Sequence, residues 1–501
     1  MPCTTILVGK KASYDGSTLV ARNEDSGAGA YSPKKFIVVK AEDQPKTYRS
    51  VLSHVSIKLP DNPQRITLMP NAIDDEGIWG ACGFNEARVF MTATETITSN
   101  ERVLAADPLV VYKKAEGKEG EKNFMPEQIG GIGEEDLVSL VLPFIKSARE
   151  GVLRLGKLLE QYGTYEMNGI AFQDQDHIWW LETIGGHHWM ARRLPDDCYA
   201  VIPNQLGLDA FDLDDAFGAK ENFLCSDDLR EFIEKYHLDL SLDGRLNPRD
   251  AFGSHSDSDH VYNTPRAWVL QRYFNPNENI WDGEDADYRP DSDDIPWCRV
   301  PERKITVEDC KVAMSNHFQG TPYDPYGKHG DPLKRNAFRS IAVNRTNFLG
   351  LGQIRPYQPE AISCLEWLAV GCNVFNAMIP FYANVNTTPA YLSQVGPEVT
   401  TENLYWNSRL IAALADAHYS DCSNLAERYQ NRLQSRCLEL IYKFDRQFVE
   451  EKISAADAPA FCEKANEEIA AEARKETALL LEKVLHAASN KMVNGFSRSD
   501  A

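Results

Sequence analysis

The first third of the chain alternates short apolar runs with turn signals. Thr4-Thr5-Ile6-Leu7-Val8 leads into Tyr14-Asp15-Gly16-Ser17, and Thr18-Leu19-Val20-Ala21-Arg22 returns. This spacing predicts a β-hairpin with Asp-Gly at its tip, which places Cys3 and Arg22 near the same end of adjacent strands. Further strand-like runs lie at 36–39, 66–69, 77–84, 88–94, 169–172 and 177–182. Several are continuously apolar, so at least one sheet is covered on both faces. Helical periodicity occupies 134–162, with Leu137, Val141, Ile145, Leu153 and Leu158 near one face and a kink or break expected at Pro143. A second helix is expected at 226–236, capped by Ser226 or Asp227. Segments 243–259 and 275–294 read as loops. From 403 to about 490 the chain is rich in Ala, Leu, Glu, Lys and Arg at helical spacing, which predicts two or three long helices, the last beginning near Ala458.

Composition narrows the class. The 501 residues, 43% hydrophobic and 10% aromatic, suffice for a large core. A formal charge of -21 repels phosphate backbones, so nucleic acid is excluded as a partner. The chain has neither a basic-then-apolar start nor a run of ~20 apolar residues, so a cytosolic protein without membrane contact is expected. The 11 cysteines are scattered from Cys3 to Cys462 without a Cys-x-x-Cys pair, which fits a reducing compartment rather than a disulfide framework.

Candidate chemistry begins at the N-terminus, Met1-Pro2-Cys3-Thr4-Thr5. Removal of two residues would leave Cys3 first, with a thiol to attack and its own α-amine to take the proton. Arg22-Asn23-Glu24-Asp25 follows after one hairpin. A guanidinium near sulfur favours thiolate, and a carboxylate near the amine and thiol can orient both. An Arg-Asp pair closing a strand on the surface is the reading these two residues would carry without Cys3.

The combination resembles the start of the cysteine-type N-terminal nucleophile hydrolases, the superfamily of penicillin V acylase and bile-salt hydrolase, in which Arg-x-x-Asp follows a terminal Cys. It is most similar to the bacterial cysteine dipeptidases of the dipeptidase A family, through Cys3-Thr4-Thr5-Ile6-Leu7-Val8-Gly9, Arg22-Asn23-Glu24-Asp25, Gly83-Phe84-Asn85-Glu86, Ile202-Pro203-Asn204-Gln205, Thr321-Pro322-Tyr323-Asp324-Pro325-Tyr326 and Pro380-Phe381-Tyr382-Ala383-Asn384-Val385. The resemblance implies an α+β fold of four layers, helices outside two packed antiparallel sheets, with the terminal Cys on a central strand. It implies hydrolysis of dipeptides through a thioester acyl-enzyme, with Cys3 as nucleophile, Arg22 and Asp25 as its supports, and no cofactor or metal. By context, Asn204 corresponds to an oxyanion donor and Arg266, in Asn263-Thr264-Pro265-Arg266, to a later active-site Arg; a structural Asn and a surface Arg remain alternatives for these two.

Two departures follow. Where the acylases carry an oxyanion-site Asn, this chain has Thr94-Glu95, and an ionised carboxylate cannot donate. Glu95 is therefore a candidate to pair with the ammonium group of a dipeptide, the alternative being a solvent-facing side chain. Pro2 requires a cleavage beyond Met1 trimming. The expected organisation is a leader at 1–2, a catalytic domain at 3–400 and a helical extension at 401–501, which either joins copies of the chain in a homo-oligomer or covers one sheet. His187-His188 near Trp179-Trp180 raises a metal reading, opposed by the expectation that adjacent strand residues face opposite ways. A non-peptide amide acylase of the same fold and a non-catalytic, secernin-like interaction protein stay open as alternatives.

Overall fold

The computed structural model describes residues 3–27, 30–73, 77–328 and 330–494; Met1 and Pro2, the expected leader, lie outside the described residues. Cys3–Val8 and Thr18–Asp25 form the hairpin, turned at Gly16, whose φ of 83° suits a residue without Cβ. This hairpin is the centre of a seven-stranded antiparallel sheet in the order Cys298–Arg299, Tyr199–Ile202, Cys3–Val8, Thr18–Asp25, Thr346–Ile354, Cys364–Val370, Ile379–Tyr382. A second antiparallel sheet contains Cys82–Phe84, Phe90–Thr92, Asn168–Gln173, Ile178–Ile184, His188–Arg193 and Phe223–Cys225, with Glu95–Thr96 paired beside Asn168–Gln173.

The two sheets face one another closely. A Cβ added at Gly352 would lie 2.6 Å from the Phe90 ring, and one at Gly350 would lie 2.8 Å from Cys82 Sγ, so glycine on the first sheet is what admits side chains of the second. Helix Ala148–Tyr162, capped by Ser147, packs on the outer face of the second sheet, with Gly151 and Gly156 under the rings of Phe172 and Trp189. Helices Leu404–Asp416, Tyr419–Glu450 and Ala458–Ser489 lie over the far strands of the first. The result is an α+β fold with helices outside two antiparallel sheets, and the helices beyond residue 401 share one continuous apolar core with the sheet they cover. Asn466 exchanges hydrogen bonds with Tyr382 N and O, at 2.8 and 3.0 Å, which occupies the backbone groups that the edge strand would otherwise leave open.

Several local expectations shift. The run at 134–162 breaks around Pro143 into helix Leu137–Val141, a single tight turn Leu142–Phe144, and helix Ala148–Tyr162. The helix expected from 226 starts at Leu229, because the Ser226 hydroxyl engages the backbone of Trp189 instead of capping. The loop at 243–259 contains helix Pro248–Phe252. Helix Thr264–Phe274, which carries Arg266, is buried on nearly every side and so has no amphipathic stripe to announce it.

Candidate active site

Strand register decides which residues meet Cys3. Cys3 stands opposite Glu24 and Thr5 opposite Arg22, so Cys3, Thr5, Arg22 and Glu24 point into the space between the sheets. Arg22 is fully buried there. Its Nη2 donates to Cys3 Sγ at 3.1 Å and to Glu134 Oε1 at 2.6 Å, its Nη1 reaches Glu24 Oε2 at 3.3 Å, and its Nε holds Thr94 O at 2.8 Å. Glu24 meets Lys34 Nζ at 2.7 Å, and Lys34 and Arg22 hold the Glu24 carboxylate below its ordinary range against the upward push of burial. Burial pushes the Cys3 thiol up, and Arg22 works against that push. Glu134 comes from the turn that precedes helix Leu137–Val141, remote in sequence, and only the sequence's own Glu24 had a local signal, the alternation of the strand.

Asp25 is the next residue along that strand and therefore faces the other side. Its carboxylate accepts from Arg339 and from Thr346 Oγ1. The carboxylates that meet Arg22 are Glu24 and Glu134, whereas Asp25, which the resemblance implies as a support of Cys3, pairs with Arg339.

The backbone of Cys3 is held from the opposite direction. Its N–H donates to Asn204 Oδ1 at 3.0 Å. Arg266 donates through Nη1 to Cys3 O and to Thr4 Oγ1 (2.8 Å), and through Nη2 to Asn204 Oδ1 (2.7 Å) and Asn263 Oδ1 (2.6 Å). Asn204 Nδ2 donates to Thr96 O at 2.9 Å. Asn204 thus presents its carbonyl to the Cys3 nitrogen, and Arg266 is a buried clamp on the first residues of the strand rather than a surface side chain.

Glu95 hangs from the edge of the second sheet into the same space. It has no exposed surface, which removes the solvent-facing alternative. Oε2 accepts from Thr5 Oγ1 at 2.8 Å, while Oε1 is buried without a hydrogen-bond partner among the described residues. Burial pushes this carboxyl up to about 8, opposed by Arg266 and Arg22. A cavity of about 920 Å³ opens beside Asn204 and Thr96, lined also by Asn100, Ser254, Tyr262 and Asn263.

The His pair lies elsewhere. His187 and His188 both present Nδ1 to one carboxylate, Asp107, at 2.8 and 2.7 Å. They do not face opposite ways as a strand would require, because Gly185, at φ 63°, turns the chain and the strand begins only at His188. Among the described residues no group of His, Cys, Asp or Glu is arranged to hold a metal, and no helix is long and apolar enough to cross a membrane.

Comparison with known proteins adds to this geometry. The profile of peptidase family C69 matches residues 2–432. A protein of Bifidobacterium longum named "Dipeptidase" is 52% identical over the whole of both chains. One of Streptococcus pyogenes named "Probable dipeptidase A" is 49% identical, again over the whole of both. A third, "Dipeptidase A" of Lactobacillus helveticus, is 44% identical over 89% of this chain and 88% of its own.

Proposed function

The chain belongs to peptidase family C69, and from that premise we propose that it is a cysteine dipeptidase, acting through a thioester on Cys3 once the residues before it are removed. The observation that carries the reading is the double hold on one residue: sulfur 3.1 Å from Arg22 Nη2 and nitrogen 3.0 Å from Asn204 Oδ1. With the α-amine freed, Asn204 and Arg266 keep that nitrogen beside its own thiol, where it takes the thiol proton as sulfur attacks the scissile carbonyl. The same proton then goes to the leaving amino acid, and water repeats the attack on the thioester. Arg22 stabilises sulfur as thiolate, Glu24 and Glu134 fix Arg22, and Asp25 acts at one remove by holding Arg339, whose guanidinium lies over the ring of Tyr262. Asn204 gives its carbonyl to the Cys3 nitrogen and one amide hydrogen to Thr96 O, so it is the second amide hydrogen that joins a backbone N–H toward the oxyanion, a role worth roughly 2.7–4 kcal/mol in the transition state.

A dipeptide brings an ammonium group within two bonds of the reacting carbonyl, and burying that group requires an opposite charge. Glu95, with one buried oxygen unassigned, meets that need beside Cys3. The steps proposed here call on no cofactor or metal. The scattered cysteines, without a Cys-x-x-Cys pair, support a cytosolic setting. The deciding experiment is intact-mass and N-terminal analysis of wild type and Cys3→Ala, each assayed on dipeptides, their N-acetyl forms and a phenoxyacetyl amide. Wild type that begins at Cys3 and cleaves free dipeptides supports the reading. Active wild type that retains Pro2 overturns the amine-base mechanism, and a preference for the acyl amide makes the protein an acylase.

A further inference from the structure

The end of the first sheet that carries Cys3 opens on its other flank into a second cavity, of about 400 Å³, between the start of strand Thr346–Ile354 and helix Leu404–Asp416. Phe375, Trp406, Leu410 and Ala412 form its apolar wall, and Arg345, Arg409 and Asp416, the last accepting from Tyr326, stand at its side. This volume lies within the range of small-ligand sites, roughly 300–1,000 Å³.

The two arginines are in different states. Arg409 is committed: Nη1 donates to Asn344 O at 2.7 Å, Nε to Tyr405 Oη at 3.2 Å, and Nη2 to Asn347 Oδ1. Arg345, half-buried, makes one side-chain hydrogen bond among the described residues, from Nη2 to Tyr262 Oη at 2.6 Å. No carboxylate pairs with it there. Around the nucleophile the other guanidiniums are already occupied, Arg22 by Glu24 and Glu134, Arg266 by Asn204, Asn263 and the Cys3 carbonyl, and Arg339 by Asp25.

Arg345 is also connected to the nucleophile. Its carbonyl accepts from Ser26 N and Oγ, at 2.9 and 3.2 Å, just two residues past Glu24, the cross-strand partner of Cys3. The strand spacing of about 4.8 Å and rise of about 3.4 Å per residue put the two backbones on the order of 10 Å apart, a gap that an Arg side chain and one amino-acid residue together span. Tyr262, to which Arg345 donates, lines the large cavity beside Asn204, and the guanidinium of Arg266 sits 5.4 Å from its ring centre.

We propose that Arg345 binds the terminal carboxylate of the substrate and that the cavity behind it receives an apolar side chain on the second, leaving residue. The inference rests on the dipeptidase reading and assigns the opposite end of the zwitterion from Glu95. A carboxylate on a guanidinium is a charge-assisted and potentially bidentate contact, and the apolar wall adds burial for the attached side chain.

The test uses the processed full chain and three substrates, Ala-Leu, Ala-Leu amide and Ala-Gly. Arg345→Gln is expected to lower kcat/KM for Ala-Leu about tenfold to hundredfold more than for its amide, through KM, while Arg345→Lys keeps much of the preference for the free acid. Ala412→Phe, which fills the cavity, is expected to lower the Ala-Leu to Ala-Gly ratio about tenfold. If wild type cleaves dipeptides but Arg345→Gln, still folded by its melting temperature, affects acid and amide equally, the inference is overturned while the dipeptidase reading stands. An unchanged Ala-Leu to Ala-Gly ratio in Ala412→Phe overturns the cavity assignment in the same way. Processed wild type that cleaves no dipeptide overturns both.

Discussion

Two buried arginines in this molecule are surrounded by similar partners and do different things. Arg355 ties the central sheet to the long helix Tyr419–Glu450. It grips Asp445 with Nη1 at 2.5 Å and Nη2 at 3.1 Å, and Tyr382 and Gln358 donate to the same carboxylate at 2.8 and 3.2 Å. None of these side chains keeps a buried polar atom without a partner among the described residues. Arg22 is equally buried, but it reaches a thiol as well as carboxylates, and nearby Glu95 keeps a buried oxygen unassigned. A saturated ion pair is held for its geometry. A cluster whose acceptors exceed its donors has room for a charge that arrives with a ligand.

This contrast can be broken at both ends. Cys3→Ala is expected to abolish dipeptide hydrolysis, by roughly 10⁴-fold or more in kcat, with little change in melting temperature, since it removes the thiol that the proposed mechanism uses as its nucleophile. Residual activity within tenfold of wild type would place the nucleophile elsewhere. Next in size, Asp445→Ala leaves Arg355 as an uncompensated buried charge and is expected to cost about 3–5 kcal/mol in denaturant unfolding, while kcat per folded molecule holds. Replacing both partners with apolar residues, Arg355→Met with Asp445→Leu, should recover much of that loss; failure to recover would show that the pair does more than hold geometry.

Smaller effects sharpen the comparison. Glu95→Gln is expected to raise KM about tenfold for free dipeptides and less for N-acetyl forms, and equal effects on the two would separate Glu95 from the ammonium. The same variant should change stability against pH. Folding raises this carboxyl to about 8 from an unfolded value near 4.3, so the fold prefers the protonated form, and wild type should lose stability as pH rises between these values. Glu95→Gln should flatten that limb. The smallest effect is at Asp107, held down to about 2 by hydrogen bonds from His188 and His187 against the push of burial. Its contribution is present above the unfolded value near 3.9 and is lost as pH falls toward 2. Asp107→Asn should remove that acid dependence, read as melting temperature between pH 5 and 2.

Much of the architecture was legible because it is encoded locally. The Asp15-Gly16 hairpin, the break at Pro143 and the helix beginning at Ala458 each follow from a turn residue, a missing N–H or a 3.6-residue period. Helix Thr264–Phe274 was not legible, since burial on nearly all sides erases the periodicity by which a helix is recognised. The site divides in the same manner. The meeting of Cys3 and Arg22 at one strand end follows from the hairpin spacing. Glu24 stands in the same motif as Asp25, and strand alternation puts Glu24, and not Asp25, on the face of Cys3.

By itself, then, the sequence determined the hairpin that brings Cys3 and Arg22 to one strand end, because that depends on neighbours within about twenty residues. Only the tertiary structure decided which carboxylates surround them. Glu134 and Glu95 arrive from a turn and from the opposite sheet, and Arg345 comes from the start of a strand more than three hundred residues away from Cys3. No periodicity records such meetings, because they are set by how two sheets pack face to face and not by any property of the chain between them.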